Sequence, residues 1–291
     1  MASIMKQILW SGKFDARTVL RSRASCLDTI QKNLKHVLVQ KMKKVWILIV
    51  ATIASMPLCG CAVKEPVKQY RITQGSHLAV RPFPRDFEPW WMQRHQAVLD
   101  RIHQGNVAII MIGDSITQGW EFAGQNVWNK YYQSRNAVNL GFNGDGTHHV
   151  LWRLQNGEIE SLSPCLAVVM IGTNNSGSSS GREIADGIIL ICQELRKKLP
   201  ATKILLLSIF PRDTADSNSR RTNTQASEIA SKIADNRWIY YLDINSYFLD
   251  TNTELSKEIM PDKLHPNENG YQIWAQSMEP MIAKLMKSCK H

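Results

Sequence analysis

Five short apolar runs alternate with helical patterns from residue 107 onward, and this alternation limits the folds that the chain can adopt. The runs occupy residues 107–112, 137–140, 166–171, 203–210 and 238–244. Each run is apolar almost throughout, which is typical of strands that are buried on both faces. Strands that alternate with helices form βαβ units, in which helices cover both sides of a parallel sheet. The pattern therefore predicts a three-layer α/β/α sandwich with a five-stranded parallel sheet.

The helical patterns between these runs have recognisable ends. The clearest one stops at Pro200 and has its apolar residues at helical spacing, namely Ile184, Ile188, Ile191, Leu195 and Leu199. Further helices are predicted over residues 88–104, 147–154 and 226–234, and a last helix is predicted to open at Pro266. We find no internal repeat and no second domain boundary within this region.

Residues 42–63, MKKVWILIVATIASMPLCGCAV, have the layout of a secretory signal. Two lysines precede a short apolar run, and small residues follow it. The run is too short to span a bilayer comfortably, since about 20 apolar residues are needed. Leu58 to Cys61 resembles a bacterial lipobox, in which the cysteine is lipidated and becomes the first mature residue. We therefore predict a lipoprotein signal peptide over residues 42–61, a lipid anchor on Cys61, and a place in the bacterial cell envelope. The alternative is a buried helix with two incidental cysteines.

The distribution of charge agrees with this division. Of the formal net charge of +10, most lies at the start of the chain, where residues 1–41 hold eight basic and two acidic side chains. The rest is close to neutral, whereas a nucleic-acid-binding face should lie on the folded domain, so we expect no nucleic-acid partner. We interpret residues 1–41 as an upstream extension or a misassigned start, with an organellar transit peptide as the alternative. Residues 62–87 are predicted to be a tether, and residues 88–291 the folded domain.

The cysteines indicate no metal site. The chain has six, and cleavage before Cys61 would remove two of them. Cys165 and Cys192 lie in a strand pattern and a helix pattern, so both are predicted to be small core residues. There is no C-x-x-C and no metal-like spacing of cysteine and histidine. A disulfide stays an open alternative, although no framework is evident.

Polar turns follow the predicted strands, and one of them contains a candidate nucleophile. Ser115 follows the first strand in MIGDSITQGW, residues 111–120. Turns rich in Gly, Asn, Asp and Ser also follow the second, third and fifth strands, at residues 139–147, 171–177 and 261–270. Ligands of parallel sheets bind at the carboxyl ends of the strands. We therefore expect the side chains of these turns to converge at one edge of the sheet.

A serine nucleophile requires an adjacent base and a group that orients the base. Of the eight histidines, His265 fits best, because it lies in a loop three residues after Asp262 and directly before Pro266. The pair His148 and His149 is not expected to bind a metal, since neighbouring helix residues do not share a face. Gly144 and Asn174 stand where donors to an oxyanion would be needed. The alternative is that Gly144 merely permits a turn and Asn174 merely caps one.

These residues occur in four blocks that resemble the SGNH (GDSL) hydrolase superfamily. The blocks are GDS at 113–115, Gly144, G-x-N at 172–174 and D-x-x-H at 262–265. Residues 139–158 and 168–175 are similar to the catalytic subunits of intracellular platelet-activating-factor acetylhydrolase and their bacterial relatives. The resemblance implies a flavodoxin-like fold, with Ser115 as nucleophile, His265 as base and Asp262 as its orienting group. It further implies an oxyanion hole formed by the Ser115 N–H, the Gly144 N–H and the Asn174 side chain.

The resemblance also implies an activity. We expect a carboxylic-ester hydrolase without metal or organic cofactor that removes a short acyl group, such as acetyl, from a carbohydrate or a lipid. By analogy with the family, the acyl pocket is expected to be small and formed by Ile116, Thr173 and Leu264; alternatively these side chains fill core beneath the turns. Acyl transfer to a sugar hydroxyl is one rival activity. A further alternative is a catalytically inactive binding lipoprotein, but such a protein would have lost at least one of Ser115, His265 and Asn174. The sequence does not define the oligomeric state.

Overall fold

A computed structural model of the protein describes residues 77–287 and residue 289. The predicted signal peptide, lipidation site and most of the predicted tether lie outside these residues. Five strands form one parallel sheet in the order β2-β1-β3-β4-β5. The strands are β1 (Ile109–Gly113), β2 (Ala137–Gly141), β3 (Leu166–Met170), β4 (Lys203–Leu207) and β5 (Ile239–Leu242). The predicted five-stranded parallel sheet is therefore confirmed.

The order of the strands creates a crevice beside β1. This strand pairs with β2 on one side and with β3 on the other, so the direction in which the sheet grows reverses there. Loops that leave β1 and β3 therefore diverge to opposite faces of the sheet. In open α/β sheets, ligands bind at such a point, outside the carboxyl ends of the strands. The 2-1-3-4-5 order is also that of flavodoxin-like folds.

Seven α-helices belong to the described residues. They are α1 (Pro89–His103), α2 (Ser115–Gln118), α3 (Gln125–Tyr131), α4 (Thr147–Gln155), α5 (Gly181–Lys198), α6 (Asn218–Ala230) and α7 (Glu268–Lys287). Within the part of the chain that the structure describes, no helix combines the length and the apolarity that crossing a bilayer would require.

The helices cover the sheet on both faces, as the three-layer prediction requires. Alternate side chains of each strand point to opposite faces, so that Ile110 and Ile112 join one apolar cluster while Ile109 and Met111 join the other. The first cluster contains side chains of α1, α4, α5 and α6, and the second contains side chains of α2, α3 and α7. Every residue of β1 and β3 is buried, which agrees with their continuous apolar sequences.

Several element boundaries differ from the prediction for local reasons. The last helix begins at Glu268 rather than at Pro266, because the Asn267 side chain accepts a hydrogen bond from the Gly270 N–H at 3.2 Å and so caps the helix. Helix α6 begins eight residues before the predicted start, with Ser217 as its cap. Its first turns are polar and have no apolar periodicity that would reveal them. The short helices α2 and α3 were not predicted.

The segment from residue 77 to residue 87 packs on the domain, which corrects the described part of the tether predicted over residues 62–87. Its Ala79 side chain is completely buried, and the Ala79 carbonyl accepts a hydrogen bond from Thr147 Oγ1 at 2.7 Å. The N–H of Phe83 donates to the carbonyl of His148. The segment contains arginines and prolines but little apolar periodicity. Contacts of this kind, made by backbone groups, leave no pattern in the sequence.

A disulfide joins Cys165, directly before β3, to Cys289, beyond the end of α7. The two Cα atoms are 5.6 Å apart, and 124 residues separate the cysteines in sequence. The prediction that Cys165 is simply a small core residue is therefore wrong in part: the side chain is buried, but it is bonded. Cys192 is a buried free thiol, as predicted, and burial raises its pKa to about 12.

Candidate active site

The candidate nucleophile lies at the carboxyl end of the central strand. Ser115 is the first residue of α2 and is separated from β1 by Asp114 alone. Residue 113 must be a glycine, because a Cβ atom there would lie 2.5 Å from the carbonyl oxygen of Met170. The Asp114 carboxylate accepts the N–H of Ile116 at 3.0 Å and thereby caps α2. Close packing at Gly113 and the hydrogen bond between Asp114 and Ile116 thus fix the turn on both sides of the half-buried Ser115.

The structure brings Ser115, His265 and Asp262 together in the predicted order. Ser115 Oγ lies 2.9 Å from His265 Nε2, across 150 residues of sequence. On the other side of the ring, His265 Nδ1 lies 2.7 Å from Asp262 Oδ2. The second carboxylate oxygen of Asp262 accepts the N–H groups of Leu264 at 3.0 Å and His265 at 2.7 Å. The side chain of Asp262 therefore organises both the loop and the imidazole.

The surroundings of Asp262 favour its ionised form. Partial burial raises the pKa of the carboxyl, but the hydrogen bonds from the His265 ring, the His265 N–H and the Leu264 N–H outweigh this effect, so the pKa is lowered from its ordinary value. An ionised carboxylate accepts the Nδ1–H of the ring, which leaves the lone pair of Nε2 directed at Ser115. This is the tautomer that a general base requires.

The two further residues that were predicted to bind an oxyanion lie in neighbouring turns. Gly144 has a φ of +75°, in the left-handed region that a side chain would disfavour. Asn174 lies in the 3₁₀ turn after β3, and its Nδ2 donates to the carbonyl of Asp145 at 2.9 Å. Because an amide nitrogen carries two hydrogens, this bond fixes the Asn174 side chain while one hydrogen remains for a ligand. Residues 143–145, which we call the 143–145 loop, therefore connect both candidate donors.

The 143–145 loop is anchored from inside the protein by the side chain of Asp145. This carboxylate is completely buried and accepts hydrogen bonds from Trp91 Nε1 at 2.8 Å and Arg153 Nε at 2.9 Å. The Arg153 guanidinium is also completely buried and bonds to Glu158, which in turn contacts His95. Breaking a buried charge network of this kind costs several kcal/mol, roughly 3–5. The network therefore anchors the 143–145 loop from its inner side.

A second set of contacts holds the Asn174 turn and the base loop together. Arg212 Nη1 donates to the Thr173 carbonyl at 3.1 Å, and the next residue, Asp213, donates its N–H to the Lys263 carbonyl at 2.9 Å. Asn223 of α6 also donates to Thr173 Oγ1 at 3.2 Å. The segment after β4 therefore contacts the residue before Asn174 and the residue between Asp262 and Leu264.

The three residues predicted to line the acyl pocket do not share one environment. Ile116 is 0% exposed and Thr173 is 1% exposed, so these two side chains fill core beneath the turns, and the prediction that they line the pocket is wrong. The Ile116 side chain belongs to the second apolar cluster, and the Thr173 hydroxyl accepts a hydrogen bond from the buried Asn223 side chain. Leu264 is half-buried beside the base and is the one of the three with accessible surface.

The histidine pair after the 143–145 loop has a local structural role. His149 Nδ1 accepts the N–H of Gly146 at 2.9 Å at the start of α4. Burial lowers the pKa of His148 to about 4 and that of His149 to about 3, and the positive charge of Arg85 contributes to both shifts. No group of three or more histidine, cysteine or acidic side chains is arranged to hold a metal ion within residues 77–287.

Sequence reasoning missed the residues that support the site. Asp145 stands in the polar turn that was singled out, but nothing in the sequence shows that its carboxylate turns inward. Arg153 has a recognisable signal, because a charged residue within an otherwise apolar helix pattern is rarely buried unless it is paired. Glu158 lies beyond the end of α4 and has no such signal. Arg212 has no such signal, since its partner Thr173 is 39 residues away.

A serine hydroxyl bonded to an imidazole, at the carboxyl edge of a parallel sheet with helices on both faces, defines a serine hydrolase with an α/β/α sandwich. The chain belongs to the GDSL-like Lipase/Acylhydrolase family, which it matches over residues 111–273. The fold is accordingly that of the SGNH hydrolases, and the protein is a serine enzyme that hydrolyses ester bonds.

Comparisons with individual proteins support the assignment of the chain to this family. The chain is 29% identical over 197 residues to platelet-activating factor acetylhydrolase IB subunit alpha1 of Homo sapiens, a match that covers 67% of this chain and 84% of the relative. It is 30% identical over 201 residues to the alpha2 subunit of Rattus norvegicus, covering 68% and 85%. A GDSL-like lipase from Bacteroides thetaiotaomicron has the same fold, with a TM-score of 0.52 and 19% identity over 67% of this chain and 97% of its own.

Proposed function

We propose that the protein hydrolyses carboxylic esters through an acyl-enzyme formed on Ser115. The observation that carries this proposal is the continuous hydrogen-bonded array from Ser115 Oγ to His265 Nε2 at 2.9 Å and from His265 Nδ1 to Asp262 Oδ2 at 2.7 Å. Each separation lies within the range required of a nucleophile, its base and the group that orients the base.

In the acylation step, Ser115 Oγ attacks the carbonyl carbon of the ester while its proton passes to His265 Nε2. The carbonyl oxygen becomes an oxyanion, and the Ser115 N–H, the Gly144 N–H and Asn174 Nδ2 donate hydrogen bonds to it. When the tetrahedral intermediate collapses, the bond between the acyl carbon and the alcohol oxygen breaks. His265 then returns its proton to that oxygen, and the alcohol leaves.

In the deacylation step, a water molecule takes the place of the alcohol. His265 Nε2 accepts a proton from the water as its oxygen attacks the acyl carbon, and the second tetrahedral intermediate releases the carboxylic acid. The proton returns to Ser115 Oγ. Asp262 keeps its negative charge throughout and stabilises the imidazolium that forms in each step.

We further propose that the substrate carries a short acyl group, such as acetyl, on a carbohydrate or lipid alcohol. The names of the relatives, which are acetylhydrolases, support the short acyl group. Acyl transfer to a sugar hydroxyl would use the same acyl-enzyme, with that hydroxyl in place of water. The arrangement of Ser115, His265 and Asn174 argues against an inactive binding protein, which would not need to keep all three together.

The test is to compare the purified protein with its Ser115→Ala variant on p-nitrophenyl acetate and on a panel of acetylated sugars and lipids. Loss of the nucleophile should lower kcat by about 10⁴-fold or more and leave the fold intact. Ser246→Ala is the matched control, because Ser246 is an exposed serine outside the array. A Ser115→Ala protein with near-normal turnover, free of contaminating esterases, would show that the proposed mechanism is wrong.

We also propose that the protein is exported and anchored in the cell envelope by a lipid on Cys61. This residue lies outside the described region, but the disulfide between Cys165 and Cys289 supports export, since such bonds persist mainly in oxidising compartments. Mass spectrometry of the native N-terminus should find a chain that begins at lipidated Cys61. An unmodified chain that begins near Met1 would contradict both the anchor and the export.

A further inference from the structure

An arginine that precedes the predicted domain contacts the loop that contains a candidate oxyanion donor. Arg85 Nη1 donates to the Asn143 carbonyl at 2.5 Å and to Asp145 Oδ1 at 3.3 Å. These acceptors belong to the residues immediately before and after Gly144. One nitrogen atom therefore bridges the two flanks of the residue whose N–H faces the oxyanion in the proposed mechanism.

The guanidinium also lies directly over Gly144. A Cβ atom built on this glycine would be 3.0 Å from Arg85 Nη1 and 3.3 Å from Nη2. Gly144 has a φ of +75°, a conformation in which a glycine without support has great freedom to move. The Arg85 side chain closes the outer side of the 143–145 loop, while Trp91 and Arg153 hold Asp145 from the inner side.

The remaining donors of Arg85 bond to the carboxylate of Glu88. Nε donates to Glu88 Oε1 at 3.0 Å, and Nη2 donates to both carboxylate oxygens of Glu88 at 2.7 Å. Glu88 Oε2 also accepts Trp90 Nε1 at 2.7 Å, and the Arg85 guanidinium lies 5.3 Å from the centre of the Trp90 ring. Together with the bonds to the 143–145 loop, these bonds engage all three nitrogen atoms of the guanidinium. Arg85 is therefore placed to hold the loop rather than to bind the substrate.

We infer that Arg85 is a positioning residue that fixes the 143–145 loop, and with it the Gly144 N–H and Asn174 Nδ2, in the geometry that stabilises the oxyanion. Asn174 is included because its amide is held by the carbonyl of Asp145. The inference rests on the proposed function. It gives residues 77–88 a role in positioning the oxyanion donors, since this segment supplies both Arg85 and the Glu88 carboxylate that orients it.

The experiment measures kcat and KM for p-nitrophenyl acetate in wild type, Arg85→Ala, Arg85→Lys and Glu88→Gln. Arg85→Ala should lower kcat on the order of tenfold and change KM less than about twofold, because the loop is loosened but no oxyanion donor is deleted. Arg85→Lys keeps the positive charge but not the planar guanidinium, so its kcat should fall by a smaller factor than that of Arg85→Ala. Glu88→Gln should have a smaller effect in the same direction. Arg81→Ala is the matched control, since Arg81 is an exposed arginine of the same segment.

A second measurement separates positioning from a purely structural role. A trifluoromethyl ketone reacts reversibly with serine hydrolases: Ser115 Oγ would add to the ketone carbon, its proton would pass to His265 Nε2, and the ketone oxygen would become an oxyanion in the hole. The inhibition constant should rise in Arg85→Ala by about the factor by which kcat falls. A residue that only secures the segment would lower the melting temperature and leave this constant unchanged.

The outcomes are distinct. If kcat and the inhibition constant of Arg85→Ala both stay within twofold of wild type, or if Arg81→Ala matches its losses, the inference is wrong. If Arg85→Ala does not fold, Arg85→Lys and Glu88→Gln decide, and wild-type values in both would overturn it. If the wild type itself neither hydrolyses esters nor reacts with the ketone, the proposed function fails, independently of Arg85.

Discussion

Asp114, the residue before the nucleophile, is a buried carboxyl group with one engaged oxygen. Its Oδ1 atom caps α2, whereas Oδ2 is buried without a hydrogen-bond partner among the described residues. Burial raises the pKa of Asp114 to about 7, and the nearby charge of Asp145 adds to this rise, although the hydrogen bond from Ile116 opposes it. An ionisable group beside the nucleophile thus favours its neutral form, which agrees with a structural role for Asp114.

This pKa predicts how the free energy of unfolding changes with pH. A carboxyl whose pKa is higher in the folded protein than in the unfolded chain stabilises the fold fully below the unfolded pKa, near 4, and this stabilisation is lost as the pH rises to the folded pKa, near 7. The loss is about 1.4 kcal/mol per pH unit at most. Asp114→Asn keeps the capping oxygen and removes the titrating group. The free energy of unfolding of the variant, relative to that of wild type, should therefore increase from pH 4 to pH 7.

Urea unfolding of both proteins at several pH values measures this difference. Asp216→Asn is a suitable control, because a hydrogen bond from Thr214 lowers the pKa of the exposed Asp216 carboxyl and its contribution has the opposite sign. A difference between Asp114→Asn and wild type that is constant from pH 4 to pH 8 would contradict the prediction.

At the scale of elements, the disulfide fixes the end of α7 to the start of β3. This helix packs on one face of the sheet through Trp274, Met278 and Ile282, and the base loop leads directly into it. The bond closes a long loop, and the entropy that it removes from the unfolded chain grows with loop length. Cys289→Ser should therefore lower the free energy of unfolding by about 2–5 kcal/mol.

Thermal unfolding with and without a thiol reductant checks this prediction. The reductant should lower the Tm of wild type to near that of Cys289→Ser and leave the variant unaffected. Cys192→Ala retains the disulfide and should keep its response to the reductant. A wild-type Tm that does not change, although mass measurement shows the bond to be reduced, would mean that the disulfide adds no stability.

The elements that could be predicted are those whose buried apolar residues form a local pattern in the sequence. The five strands were predicted from their short apolar runs, and helix α5 from apolar residues at helical spacing. Helix α6 was placed only in part because its first half is polar, and α2 has just four residues. The sequence does not reveal the disulfide, since the positions of two cysteines in different elements do not give the distance between them.

At the scale of the whole molecule, the site residues were predictable because a parallel sheet brings the ends of its strands to one edge. Ser115, Asp262 and His265 lie together as predicted, whereas Ile116 and Thr173, which were predicted to line an acyl pocket, are buried in the core. The direction of a side chain within a turn depends on partners far away in sequence. Arg85 illustrates this, because it binds a loop 58 residues further along the chain and was assigned to a tether.

The disulfide also makes part of the protein a covalent ring. Residues 165–289 form this ring, which contains Asn174, Asp262 and His265, while Ser115 precedes it. A protease that cut the ring once, for example at the exposed residues 251–253, would open it without dividing the molecule. The base and the nucleophile would therefore stay on one covalently connected protein after such a cut.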